Sequence, residues 1–218
     1  MIYNSDTASH VAASLLQIKA IKLNSHNPFT WASGLRSPIY CDNRITLSYP
    51  RIRTYIRQGL TDAILRFYGE TDVIAGVATA GIPQGVMIAQ ELGLPFVYVR
   101  PASKLHGLNN QIEGVIEDGQ SVVVIEDLVS TGKSSLNAVK ALRKAGAEVR
   151  GMAAIFTYDL PIASKNFKEA RCKLVTLSDY NILIKEAEIN NFISENDKLS
   201  LMKWREDPES WSNNHQIT

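Results

Sequence analysis

The chain has 218 residues, 45% of them apolar and 21% charged, enough to bury the core of one domain without forcing a second. Its 23 basic and 22 acidic residues leave a formal charge of +1 with no long run of either sign, which gives no electrostatic footprint for nucleic acid or a membrane surface. No apolar run approaches the roughly 18–20 residues of a membrane span, and the distant Cys41 and Cys172 form neither a disulfide framework nor a zinc spacing.

The first residues, "MIYNSDTASHVAAS", lack the basic start and apolar core of a secretory signal, so a reducing cytoplasm is the expected home. From Ala8 to Ile21, apolar residues at Val11, Leu15, Ile18 and Ile21 predict a helix, followed by the turn-rich "NSHNPFTWASGLRSP", a loop or hairpin. Ser48, Tyr49 and Pro50 then read as the cap and first turn of a second helix, with Ile52, Ile56, Leu60, Ile64 and Phe67 on one face. Beyond it, short apolar runs alternate with helical segments. Strands are predicted at Asp72–Ala78, Leu94–Arg100, Ser121–Asp127, Glu148–Tyr158 and Cys172–Asp179. Between them, "GIPQGVMIAQELG" reads as a helix ending at Gly93, "TGKSSLNAVKALRKAG" as one closed by Gly146, and Leu160–Ala170 as a short one. About 40 residues follow Asp179 and read as helices on the core, with Trp204 and Trp211 structural. Alternation of this kind predicts an α/β fold with a mostly parallel sheet, whose ligands sit beyond the carboxyl ends of the strands.

One such end carries "SVVVIEDLVSTGKSS", Ser121–Ser135. Its second half resembles a P-loop, but the glycine that a P-loop needs five positions before that of Gly-Lys-Ser is replaced by Asp127. Ser130, Thr131 and Gly132 would present free amides at a helix N-terminus, a cradle for one phosphate. Carboxylates at Glu126 and Asp127 would repel a triphosphate, yet they suit the vicinal hydroxyls of a ribose. Acids for the sugar followed by amides for its 5′-phosphate describe a grip on ribose 5-phosphate.

This stretch resembles the phosphoribosyl diphosphate (PRPP) signature of the type I phosphoribosyltransferases: an apolar strand, two acids, a spacer and a Ser/Thr-Thr-Gly turn. The resemblance implies that Glu126, Asp127, Leu128, Val129, Ser130, Thr131, Gly132, Lys133 and Ser134 bind PRPP. A second stretch, "VRPASKLHGLNNQIEG" from Val99 to Gly114, combines cations with glycines and asparagines and is expected to be a mobile lid with no regular structure. With "FTWASGLRSPIYCDNR" and "ATAGIP", it resembles the orotate phosphoribosyltransferases from about Phe29 to the carboxyl end. That family implies the type I phosphoribosyltransferase fold over residues 1–218. A helix and small hood would occupy about 1–48, the PRPP-binding core about 70–180, and C-terminal helices about 180–218.

It further implies transfer of the phosphoribosyl group to orotate with Mg²⁺ carried on PRPP, and a homodimer whose lid reaches the neighbouring site. Lys104 would be the main catalytic contact, with Arg100 and His106 gripping diphosphate. Thr79, Ala80 and Gly81 would form the diphosphate loop, and Ser130 and Tyr40 would contact orotate. Ser33, Gly34 and Arg36–Asp42 would form the hood, with Arg36 and Arg44 as candidates for anionic groups. In one branch of the family, lysines stand where this chain has Pro101, Ala32 and Ala80, and an orotate-holding arginine stands near Tyr158-Asp159. The group that neutralises the orotate carboxylate is therefore left open. A purine-base transferase and a PRPP-sensing regulator share the ribose phosphate grip. The first would not be expected to carry "KLHGLNNQIEG", and a regulator acting on nucleic acid should be basic.

Overall fold

A computed structural model describes residues 1–31, 33–101 and 111–215. Its centre is a six-stranded sheet in the order β10 (Leu174–Asp179), β9 (Glu148–Thr157), β8 (Ser121–Val129), β5 (Val73–Val77), β6 (Phe96–Val99), β7 (Ile112–Glu113). All neighbours pair in parallel except β7, which runs antiparallel along β6. The expected lid segment thus contains an edge strand: Ile112 and Glu113 pair with Val99 and Tyr98, because Ile112 is an apolar side chain that the sheet can bury.

Side-chain alternation along β8 divides the core. Val123 and Ile125 pack with α1 (Ser5–Gln17), α2 (Pro50–Tyr68), α3 (Gly81–Leu92) and α6 (Tyr180–Ile189), whereas Val122 and Val124 face α4 (Lys133–Lys144) and α5 (Pro161–Glu169). Both faces of β8 are covered, so its run is continuously apolar.

Several boundaries differ from the sequence pattern. α1 stops at Gln17, since Lys19 takes a left-handed φ of 57°, and Ile21 is buried instead in β1 (Ile21–Leu23), paired with β4 (Ile39–Cys41). Ser48 closes a 3₁₀ segment at Asn43–Ser48, and α2 starts with Tyr49 at its N-cap and Pro50 as first residue. α4 ends at Lys144, two residues before Gly146. The turn-rich segment is a hairpin of β2 (Phe29–Thr30) and β3 (Arg36–Ser37), turned at Gly34 with φ 86°. α7 (Glu195–Glu206) and α8 (Pro208–Asn213) carry Trp204 and Trp211, both buried. Among the described residues no helix is long and apolar enough to cross a membrane.

β5 connects through α3 to β6 on one side, while β8 lies on the other side of β5. The chain therefore changes direction between β5 and β8. In open α/β sheets, ligands settle at such a switch point, beyond the carboxyl ends of the strands.

Candidate active site

Two loops flank this switch point. After β5, Ala78–Ala80 leads into α3, whose 12 residues begin at Gly81. After β8, Ser130–Gly132 leads into α4, with Gly132 at the N-cap and φ 76°. The first intrahelical bond of α4 runs from Leu136 N–H to Gly132 C=O at 2.9 Å, so the amides just before it are available to an anion. Gly132 serves twice, because a Cβ there would also strike the Phe167 ring. Asn166 anchors the turn by donating its Nδ2 to Thr131 C=O at 2.9 Å. Val129 C=O accepts from Tyr158 N–H and Thr157 Oγ1, each at 3.1 Å.

The loops are packed against each other. A Cβ on Gly81 would collide with the Ile125 carbonyl oxygen and reach Glu126 Cα at 3.5 Å. Only a glycine lets the start of α3 lie this close to the acidic end of β8. Gly81, the last residue of the expected diphosphate loop, thus stands directly beside Glu126.

The two acids belong to β8, which continues to Val129 rather than ending at Asp127, so alternation sends their side chains in different directions. Glu126 is buried and accepts from Ser135 Oγ at 2.8 Å and from Asp127 N–H at 3.1 Å. Burial, and then the Asp127 charge, lift its carboxyl far above the ordinary range. Asp127 is half-buried and also raised, again mainly by burial, with a hydrogen bond to Glu126, backbone N–H groups and, least, Arg44 pulling the other way. Its backbone carbonyl accepts from Asn43 Nδ2 at 2.8 Å, which ties the hood to the acidic turn. Lys133 and Ser134 are exposed on the first turn of α4, and Ser130 and Thr131 are half-buried.

Beside the phosphate turn lies a cavity of about 250 Å³. Thr30, Trp31, Tyr40 and Cys41 line it from the hood, and Leu128, Ser130 and Tyr158 from the sheet. Both residues expected to touch the base, Ser130 and Tyr40, are here. Trp31 stacks on Tyr158 with ring centroids 5.3 Å apart, and Tyr158 packs edge-on against Trp204 at 5.6 Å. Trp31 Nε1 is satisfied by Ile39 C=O at 3.2 Å. Burial and the carboxylates of Asp127 and Asp42 push the Cys41 thiol up, so it faces the cavity neutral and donates to Asn43 Oδ1 at 3.4 Å.

Other expected residues are placed as follows. Arg100 lies just past β6 and pairs with Glu113 Oε1 at 3.0 Å. Arg44 is gripped by Asp42 through two bonds of 2.7 and 2.9 Å. Arg36 donates to Thr30 Oγ1 at 3.1 Å. Ser33 and Gly34 form the tip of the β2–β3 hairpin. Lys104 and His106 lie outside the described residues, as does Ala32. The sequence pattern gave Cys41 only as part of the Arg36–Asp42 hood and Tyr158 only as the neighbourhood of an arginine this chain lacks, and it assigned no role to Trp31, Asn43 or Ser135. The one local cue was Trp31 inside "FTWASG", since its partner Tyr158 comes from the far end of β9.

Comparison with known proteins agrees with this geometry. The phosphoribosyl transferase domain family matches residues 47–187. The chain is 53% identical over 199 residues to the orotate phosphoribosyltransferase of Staphylococcus saprophyticus, covering 91% of this chain and 98% of that one. It is 55% identical over 201 residues to the orotate phosphoribosyltransferase of Cytophaga hutchinsonii, covering 92% and 96%. Among solved structures, orotate phosphoribosyltransferase from Aeropyrum pernix superposes with a TM-score of 0.73 at 27% identity, covering 84% of this chain and 99% of that one.

Proposed function

The chain belongs to the orotate phosphoribosyltransferases, and we propose that it transfers the 5-phosphoribosyl group of PRPP to orotate, giving orotidine 5′-monophosphate and diphosphate in the synthesis of UMP. One observation carries this reading beyond family membership. Ser130 belongs both to the phosphate turn and to the lining of the aromatic cavity, so a ribose phosphate held by the turn presents its anomeric carbon toward a flat ring in the cavity.

Departure of diphosphate from C1 builds positive charge on the ribose and negative charge on the leaving group. The buried acidic end of β8 faces the sugar, while the start of α3 offers backbone amides to the diphosphate. Arg100, Lys104 and His106 complete the cationic surround, with Lys104 as the principal contact. Mg²⁺ brought with PRPP would supply charge neutralisation at the leaving diphosphate, with Asp127 as the neighbouring carboxylate that could face it. The raised Asp127 supports this, because a carboxyl raised by burial is stabilised in its charged form by a cation brought alongside. The enzyme works in the cytoplasm as a homodimer in which the loop carrying Lys104 reaches the partner's site, a reading that rests on the family resemblance.

The test is an acceptor panel. Purified protein with PRPP and Mg²⁺ is offered orotate, uracil, hypoxanthine, guanine, xanthine and adenine separately, and nucleotide is followed by chromatography. Turnover with orotate alone is the expected result. Turnover with a purine would overturn the assignment, and PRPP binding without turnover on any base would make the protein a sensor.

A further inference from the structure

Orotate brings a carboxylate into a cavity whose lining, among the described residues, is seven side chains with no cation. An anion removed from water without compensating charge is strongly disfavoured, and a cation behind the described lining can supply it. The arginines around the cavity differ sharply in what they already hold. Arg44 is committed to Asp42, Arg100 to Glu113 at 3.0 Å, and Arg205 to Asp159 at 2.6 Å, beside Tyr158. Arg36 is the one of these four without a carboxylate partner among the described residues, and its Nε, like that of Arg205, is buried without a hydrogen bond. It stands directly opposite Thr30 across the β2–β3 hairpin, so both side chains project from the same face.

We infer that Arg36 is the positioning residue that compensates the carboxylate of the acceptor base, acting through the Thr30 hydroxyl. This deepens the orotate reading and rests on it. A threonine hydroxyl has one proton and two acceptor lone pairs. Because Thr30 Oγ1 accepts from Arg36 Nη1 at 3.1 Å, its own proton is turned away from the guanidinium, and the side chain borders the cavity. A base carboxylate there receives a hydrogen bond from a hydroxyl polarised by the cation behind it. Arg36 is fixed for this role by its backbone, whose N–H donates to Ser212 Oγ of α8 at 2.9 Å. The positive charge thus reaches the base site although, among the described residues, no charged side chain lines it.

The experiment compares orotate with its neutral methyl ester by calorimetric binding, alongside steady-state kinetics, in wild type, Arg36→Met, Arg36→Lys and Thr30→Val. In wild type, orotate should bind at least about tenfold more tightly than the ester, the scale of a charge-assisted hydrogen bond. Arg36→Met should bring that ratio close to one and raise the KM for orotate about tenfold or more, with the KM for PRPP within about twofold. Arg36→Lys should recover part of the preference, and Thr30→Val should lose it even if Arg36→Met fails to fold. An unchanged preference in folded Arg36→Met or in Thr30→Val, or an equal loss for orotate and ester, would overturn the inference while leaving the activity intact. Absence of orotate turnover in wild type would instead overturn the assigned activity, and this inference with it.

Discussion

Gly76 lies in β5 beneath the start of α3, where a single methyl group tests how tightly the diphosphate loop is seated. A Cβ built there meets Gly81 O at 2.9 Å, Phe96 Cζ at 3.0 Å and Ile82 Cα at 3.1 Å. Ordinary contact begins near 3.4 Å, so the neighbours must retreat by about 0.3–0.5 Å. The phenyl ring can yield, but the other two atoms are backbone of the very turn that would face diphosphate. Overpacking of this kind costs about 1–3 kcal/mol. Alanine regains about 0.4–1 kcal/mol by restricting the unfolded chain. The steric effect wins, leaving Gly76→Ala less stable by about 1–2 kcal/mol, or roughly 2–8 °C in Tm for a chain of this size. Displacing the loop by tenths of an ångström should also raise the KM for PRPP about fivefold or more, with the KM for orotate changing less. Gly59→Ala is the control, because its Cβ meets Leu177 methyl carbons at 3.3 Å, which can swing aside. Thermal unfolding and PRPP titrations of both variants decide the matter. A Gly76→Ala protein with unchanged Tm and unchanged KM for PRPP would refute the claim that the start of α3 sits this close to β5 only because position 76 has no side chain.

Other consequences follow from the same geometry. Glu126 binds its proton more tightly folded than unfolded, so without PRPP its contribution to stability should be present near pH 5 and fade as the pH rises toward 8. Glu126→Gln should flatten that slope in Tm measured across this range, and a slope that survives would assign it to another group. Asn43→Ala removes the amide that joins Cys41 to the Asp127 carbonyl, leaving a buried acceptor unpaired. It should lower stability by about 1–3 kcal/mol in urea unfolding and raise the KM of both substrates; an effect on one substrate alone would show that the tether does not link hood and turn. Lys104→Ala should reduce turnover at least about a hundredfold if the lysine stabilises the transition state by roughly 3 kcal/mol, and near-normal turnover would remove it from the mechanism.

What the amino-acid order determined by itself was the chemistry contained within short stretches. The run Val122–Gly132 encodes strand, acids and phosphate turn in one contiguous segment, because a strand-to-helix turn needs only local backbone geometry and a glycine free to take φ 76°. The parallel strands were legible for a similar reason, since burial on both faces makes them continuously apolar. The hood was legible only as a turn-rich stretch, because strands of two or three residues such as β2 and β3 carry too few positions to show alternation. The base cavity was decided by tertiary structure alone. Its wall forms when Trp31 from the hood meets Tyr158 at the end of β9, a contact between segments that share no local pattern. The state of Glu126 was decided there too: the same carboxylate on an open turn would be solvated, but α4 buries it under Ser135, and burial disfavours its charged form. Arg36 differs from Arg44, Arg100 and Arg205 for a comparable reason. Which guanidinium finds a carboxylate depends on distances that folding sets, and in this fold Asp42, Glu113 and Asp159 are matched to Arg44, Arg100 and Arg205, leaving Arg36 beside Thr30 at the edge of the base site.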